Sequence, residues 1–528
     1  MPLKPEDLPS TPRPEYVAVA PDIRLIRDLL GGTRVMHREY RTYIPKYRSE
    51  PSDRYKIRAT SAIVYGGLGR SLSASVGMLF AKPPQQQDTW PADVEEQWEN
   101  IDGKGTHGDV FAKRRSRDAL ADGYVGILVD FPEKPADVVV TKANEEALNL
   151  RPLWAAYTRA DILSWRTEIV HNVETLTQVV LREGAAVDVG RFSVAPRVLY
   201  RVCRLTPMRV PRAGGMHDLV YLATWELLEE VKVDGGAMKV VTISQGVFTD
   251  VHGDPFDEIP LAICYTGDTN AMFASDPPLL DLAWANLEYW QIASELRWYQ
   301  KLAAHPQAVL EGELAGDGGI SADGQVIRPQ VKLGPTTLIQ LAAGGKFSWM
   351  EVSGRSFAAL QEALAAKKDE MADLGASFLR KLARGVETAE AKRLDATAEN
   401  ATLATAAQGL EDGFNEALRF HAKYLGTGAE QAPTLKINRD FEGLLMDAPT
   451  MLAYVSLVNA GYPKALVLEA LQVGGRIADD ADLEQLEAEW EAGLQAEQDA
   501  AAMAAQDQAT MNAAPGGTAP TAADAPTA

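Results

Sequence analysis

The chain has two cysteines in 528 residues, and no stretch approaches the roughly 18 uninterrupted apolar residues that a membrane-spanning helix needs. Cys203 and Cys264 both lie in β-like apolar runs. There is no CxxC and no dense Cys/His spacing, so neither a disulfide framework nor a zinc site is expected; both read as buried free thiols. No basic-plus-apolar signal opens the chain, which predicts a soluble protein without a membrane partner. Positive charge is also short. Lys and Arg total 52 against 73 Asp and Glu, a net charge of −21. A protein that grips nucleic acid by counterion release wants a basic footprint, so tight DNA binding by the chain as a whole is not expected. The charge is uneven, however. Asp22–Lys82 is rich in Arg and Lys, and Asp479–Asp499 is strongly acidic, an asymmetry that pairs neighbouring subunits or domains or simply faces solvent.

Catalytic signatures are missing too. No GxxxxGK[ST], HExxH or GxSxG occurs, and His37, His107, His171, His217, His252, His305 and His421 are scattered. "DTNAMFASD" and "DDAD" cluster carboxylates; the first lacks the glycine and closing Glu of a calcium loop, and both read as turn and cap residues. One stretch imitates a nucleotide site. "GKGTHG", Gly103–Gly108, matches GxGxxG and is followed by a helix-like segment and a strand ending at Asp130. The fingerprint needs a buried strand feeding the first glycine. Here "PADVEEQWENID" precedes it, acidic and helical, so a helix–turn–helix joint is predicted instead. No catalytic residue, cofactor or metal is assigned, and the chain is not read as an enzyme.

What is present reads as α+β. Residues 1–21 are proline-rich and extended, and "PDIRLIRDLLGG" then carries helix punctuation at both ends. A further helix is expected from Ser52 to Leu79, weakened by Gly66, Gly67 and Gly69. Between 150 and 270 the grammar changes to short β-branched and aromatic runs broken by Gly, Pro and Asp, an antiparallel meander or small sandwich. Helices return with "DPPLLDLAWANLEYWQIASELRWYQKLAAHPQAVLEG". Its apolar residues fall on more than one face: Leu282, Ala285, Tyr289, Ala293 and Leu296 form one stripe, and Ala283, Leu287, Trp290 and Ser294 another. Such a helix must pack on more than one neighbour. A Gly-rich insert follows, then a second long helix with Ser353 as N-cap, then further helical runs, and from about Ala500 a tail with too few apolar anchors to order itself.

The order of these stretches resembles bacteriophage portal proteins, the head-to-tail connectors, in a branch long filed as a phage domain of unknown function. The residues that carry the resemblance are "RTYIPKYRSE", "SVGMLFAKPP", "DGKGTHGDVFAKRRSRDALADGYVGILVDFP", "RPLWAAYTRADILSWR", "DPPLLDLAWANLEYWQIASELRW…HPQAVLEG" and "ADLGASFL…ETAEAKRLDATAENATLATAA", spanning residue 22 to about 490. The resemblance implies a ring of twelve copies at one capsid vertex, with double-stranded DNA passing along its axis. It implies a wing over 22–275, a stem helix over 276–304, a small α/β clip over 305–350 and a returning stem helix over 351–379. A tunnel-loop region at 380–397, a wing helix and connection at 398–445, a helical crown at 446–499 and a disordered tail at 500–528 complete it. Implied partners are the terminase large subunit, head-completion or adaptor proteins, and the major capsid and scaffolding proteins. The implied location is the virion's portal vertex, after assembly in the host cytoplasm. Flanking the expected tunnel loop, Arg380, Lys381, Arg384, Lys392 and Arg393 are the DNA-facing candidates, with surface or intersubunit salt bridges as their ordinary alternative. Trp284, Tyr289, Trp290, Trp298 and Tyr299 are the stem packing candidates, expected between subunits or against the wing. The rival readings are another ring-forming virion protein, such as an adaptor or minor capsid protein, and a nucleotide-binding enzyme using GKGTHG. Calorimetry separates the last: no saturable heat is expected with NAD(H) or ATP, and micromolar binding abolished by Gly105→Val would favour the enzyme.

Overall fold

The computed structural model describes residues 7–439, apart from 88–89, 133–148, 171, 212–216, 234–237, 268, 270, 305–306, 312–343, 351–354, 376–388 and 427–431, together with scattered positions beyond 439. The chain divides into two compact units, Met1–Asn438 and Arg439–Ala528. The helices expected between 446 and 499 fall in the second unit, almost wholly outside the described residues.

Five helices open the first unit: α1 Pro14–Leu30, α2 Gly32–Arg38, α3 Tyr40–Tyr43, α4 Ser52–Ala59 and α5 Gly67–Leu79. Two sequence expectations change here. Helix α1 starts at Pro14, inside the expected extended arm, and runs through Pro21. Proline at the first helical position costs no hydrogen bond, because that N–H would be unsatisfied anyway. The single helix expected over Ser52–Leu79 is two helices. The start of α5 is capped from elsewhere: the buried side chain of Asn286 accepts the Leu68 N–H at 3.1 Å and donates to the Tyr65 carbonyl at 3.0 Å.

Helix α6, Ala92–Trp98, turns into α7, Gly108–Asp122, which ends at Gly123 with φ 94°. Strand β2, Tyr124–Asp130, follows directly and is buried nearly throughout. It pairs antiparallel with β3, Leu153–Thr158, on one side and β9, Leu261–Tyr265, on the other. A second sheet is a five-stranded meander in sequence order: β4 Ile162–Val170, β5 Val173–Gly190, β6 Ser193–Pro211, β7 His217–Lys232 and β8 Met238–Val247. The expected β-rich region is therefore two antiparallel sheets. One guanidinium ties them together. Arg201 of β6 donates to Asp130 at the end of β2 (3.0 Å) and to Glu183 of β5 (2.6 Å), and the Tyr157 hydroxyl of β3 donates to the same Glu183 at 2.6 Å.

The remaining elements are α8 Leu280–Ala303, a two-stranded ladder of β10 Gln307–Glu311 with β11 Lys346–Met350, α9 Arg355–Leu374 and the 36-residue α10 Ala389–Tyr424. Strand β12, Thr434–Lys436, returns to pair with β1, Gln85–Gln87. Helix α10 lies directly on β9, which two glycines one turn apart allow. A Cβ at Gly413 would lie 2.6 Å from Cys264 Cα, and one at Gly409 2.5 Å from the Tyr265 carbonyl oxygen. Arg419 and Lys423 then clamp the segment before β9, with Arg419 on both Glu258 oxygens at 2.8 Å and Lys423 on Asp257 at 2.6 Å.

The same Gly→Ala change thus has opposite signs at two places. Gly413→Ala forces α10 off the sheet and costs about 1–3 kcal/mol by overpacking. At Gly77 of α5 nothing lies within 4 Å of an added Cβ, and Gly77→Ala stabilises by about 0.4–1 kcal/mol. Urea midpoints of the two variants check both.

Candidate subunit-contact surfaces

Helix α8 answers the question its sequence raises. Its flanks are covered by the chain itself, through α1, α4, α5 and α9. Leu282, Ala283, Ala285, Leu287, Trp290, Ser294 and Leu296 are all buried, from both predicted stripes. Its polar residues clamp the N-terminal helices. Asn286 caps α5, Gln291 donates to the Tyr43 carbonyl at 2.7 Å, and Glu295 accepts the Tyr47 hydroxyl at 2.6 Å. That last bond, then burial, pushes the Tyr47 phenol up to about 12. Trp290 is fully enclosed: its indole N–H donates to the Ala62 carbonyl at 3.3 Å and its ring stacks on His37. Tyr289 sits half-buried against Tyr65.

The other aromatics of α8 differ. Trp298 is half-buried, whereas Trp284 is 51% exposed and Tyr299 42%. The five packing candidates therefore split into a part satisfied within the chain, led by Trp290, and a part left facing outward, Trp284 and Tyr299.

Helix α9 runs antiparallel to α8. Lys367 meets Glu288 at 2.7 Å, Gly375 lies beside Leu282, and the β10–β11 ladder closes the other end of the pair. Its covered stripe is Leu360, Leu364, Lys367 and Met371, at helical spacing; most other positions, from Gln361 to Glu370, are exposed. Of these two long helices with a ladder at one end, α9 is covered along one face only, whereas α8 is covered on several sides and leaves Trp284 and Tyr299 outside. Of the basic candidates, Arg380, Lys381 and Arg384 lie outside the described residues, and Lys392 and Arg393 sit near the start of α10.

Part of the Arg-rich N-terminal segment is paired within the chain. Arg58 is buried with Glu50 at 2.9 Å, Arg24 meets Glu39 at 2.8 Å, and Arg27 makes a two-pronged pair with buried Asp122, whose carboxyl burial pushes up despite Arg27. The GKGTHG stretch is a turn between α6 and α7. Gly103 and Gly105 take φ of 71° and 79°, the left-handed region open to glycine. Its amides are already occupied: Asp102 accepts the N–H of Lys104 and Thr106, and Asn100 that of Gly105. Gly108 admits no side chain because the Trp98 ring fills the space. Both cysteines are buried and unpaired, and burial raises both thiols far above their usual range. Among the described residues no group of three or more His, Cys, Asp or Glu is placed to hold a metal, and no helix is long and apolar enough to cross a membrane.

Sequence reasoning missed one buried hub. His421 of α10 is fully buried beside Trp154, whose ring packs edge-on against Trp98. Its Nδ1 accepts from the Trp154 indole N–H at 3.3 Å, which leaves Nε2–H to donate to Gln97 Oε1 at 2.8 Å. The ring is thereby held neutral in one tautomer. Nothing in the sequence around His421 marks it, because its partners come from α6 and β3.

The family model described as "Domain of unknown function (DUF4055)" matches residues 278–425, the span from α8 to the end of α10. Three solved structures are similar to this chain. A structure described as "Virion of native gene transfer agent (GTA) particle" is 13% identical, with 82% of this chain and 95% of that one covered at a TM-score of 0.36. "Neck of empty GTA particle computed with C6 symmetry" is 14% identical, with 81% and 96% covered and a TM-score of 0.36. "Neck of native GTA particle computed with C12 symmetry" is 15% identical, with 83% and 98% covered and a TM-score of 0.36. Likeness at this level fixes no role for the chain. No curated protein matches it.

The His421 hub sets a pH dependence. Burial, and secondarily the Arg151 charge, lower its folded pKa to about 3 from the ordinary 6.5. Between those values the unfolded chain binds one more proton, so stability falls as pH drops through 6.5. By pH 5, before most carboxylates titrate, the loss from this group is about 2 kcal/mol. His421→Gln keeps a donor and an acceptor, and denaturation at pH 7 and pH 5 should show a smaller drop for it than for the parent chain.

Proposed function

We propose that the chain is one subunit of a portal-type ring at a capsid vertex, a conduit for double-stranded DNA and a platform for packaging and head-completion proteins. It is not an enzyme. The observation that carries the reading is the antiparallel α8–α9 pair with its ladder at one end: α9 has a single covered stripe, and α8 keeps Trp284 and Tyr299 outside. Stood side by side, such pairs cover each other's open faces, and a head-to-tail arrangement that closes gives a ring. The sequence resemblance implies twelve copies, with α8 and α9 as stem and the β10–β11 ladder as part of the clip, where a terminase would dock.

Charge supports a conduit rather than a grip. DNA has to slide, so its wall should touch phosphate sparingly; a chain of net charge −21 supplies that, and a few basic residues steady the duplex locally. Arg380, Lys381, Arg384, Lys392 and Arg393 remain the proposed group. The second reading is another ring-forming virion protein, an adaptor or minor capsid protein. Gene transfer agent necks, with which the chain has the likeness described above, are consistent with either.

Electron microscopy of the purified chain tests the proposal. Rings with an axial hole are expected; a monomer, or a pentameric or hexameric lattice, contradicts it. Two tryptophan variants then divide the roles. Trp290→Ala lowers the chain's own stability by about 3–5 kcal/mol. Trp284→Ala leaves folding intact and reduces ring yield.

A further inference from the structure

The meander carries two solvent-facing features at opposite ends of one sheet. At the first end the β5–β6 hairpin outruns its neighbours. The two strands stay paired out to Gly190 and Ser193, whereas β7 pairs with β6 only as far as Tyr200. This free ribbon exposes Val187, Val189, Val194 and Val198, and at its turn Phe192 is 87% exposed. A two-stranded ribbon is marginal alone in water. Its valines divide between the two faces, Val187 and Val189 on one and Val194 and Val198 on the other, so the exposed ring of Phe192 at the turn is the feature that marks a contact point. The Arg191 guanidinium lies 5.1 Å over the Phe192 ring and has no carboxylate partner among the described residues.

At the second end is a hollow of about 460 Å³, lined by Val170, Val173, Leu205 and Val220 together with Asp257 and Glu258. Val173 is 64% exposed and Asp257 has its side chain 71% exposed. The ion cluster beside it joins three carboxylates, Asp257, Glu258 and Glu416, to two cations, Arg419 and Lys423, and so keeps one negative charge in excess. The hollow is lined by four aliphatic side chains, with Thr175, Tyr221 and an acidic side completing it; the tip is an aromatic ring with a spare cation. The same chain cannot join them. Val173 and Gly190 are the two ends of β5, roughly 55 Å apart along one strand.

We propose that Phe192 of one copy seats in this hollow on a second copy of the chain, with Arg191 against Asp257. A tip and a hollow on opposite ends of a rigid sheet make a heterologous contact, which repeats from copy to copy and either closes or runs on. It rests on the ring reading for its closure, and gives that ring a second belt of contacts besides the α8–α9 pairs.

The test is a Val189→Cys, Val173→Cys double variant of the full chain, which keeps Phe192; the native cysteines are buried. Mild oxidation should give a ladder of chain multiples on a non-reducing gel, with each single variant staying at one chain length. Adding Phe192→Asp should cut the ladder at least tenfold. Arg191→Glu should weaken it, and Arg191→Glu with Asp257→Arg restore it. No ladder, or a ladder unchanged by Phe192→Asp, overturns the proposal. The ring reading is judged separately: rings without a ladder leave the ring and remove this contact, and a ladder without rings keeps the contact and removes the ring.

Discussion

Everything in the first unit leans on one helix being enclosed by its own chain. Helix α8 has apolar residues around most of its circumference, so it needs cover on several sides, and α1, α4, α5 and α9 supply it. The cover is made specific by polar groups that have a single solution. Asn286 caps a helix it is not part of, Gln291 finds the Tyr43 carbonyl, and the Trp290 indole finds Ala62. A buried amide left without its partner costs about 1–3 kcal/mol, so these bonds fix the rotation of α8 about its axis. That rotation decides which aromatics turn inward and which, Trp284 and Tyr299, remain exposed.

The β-rich region acts as a rigid plate. Arg201 couples the meander to the three-stranded sheet through two carboxylates, and Arg419 and Lys423 couple α10 to the same sheet through Glu258. Part-buried charge-assisted bonds, the two-pronged Arg419–Glu258 pair among them, hold geometry better than exposed ion pairs do. The paired core of the meander is thereby held to the three-stranded sheet and to α10, and the β5–β6 ribbon projects from it.

Much of this order was legible in the sequence, and the rest was not for definite reasons. The α8 stripes, the α6–turn–α7 joint at GKGTHG, most of the strands after Arg151 and the long α10 could be read from period and punctuation. The strand Ile162–Val170 could not, because "ILSWRTEIV" mixes charge and hydroxyls into a short run. The division between α4 and α5 shows in the sequence only as the weakness at Gly66, Gly67 and Gly69, because the cap that fixes it, Asn286, lies more than two hundred residues away. The start of α1 is masked by proline density that resembles an extended arm, although proline in a first turn is well tolerated. Among the candidate residues, the aromatic run marked the right helix but not its orientation. Period alone cannot tell an indole that the chain itself buries from one that it leaves outside. His421 and Arg201 gave no local sign, since each is defined by partners from distant segments.

If this chain completes its surface with further copies of itself in a closed, countable array, native mass spectrometry of the purified protein shows one dominant species at an integral multiple of the 57.3 kDa chain, twelvefold on the sequence resemblance, that persists on dilution. A spectrum holding only the single chain, or an open-ended distribution of sizes with no preferred multiple, rules the closed array out.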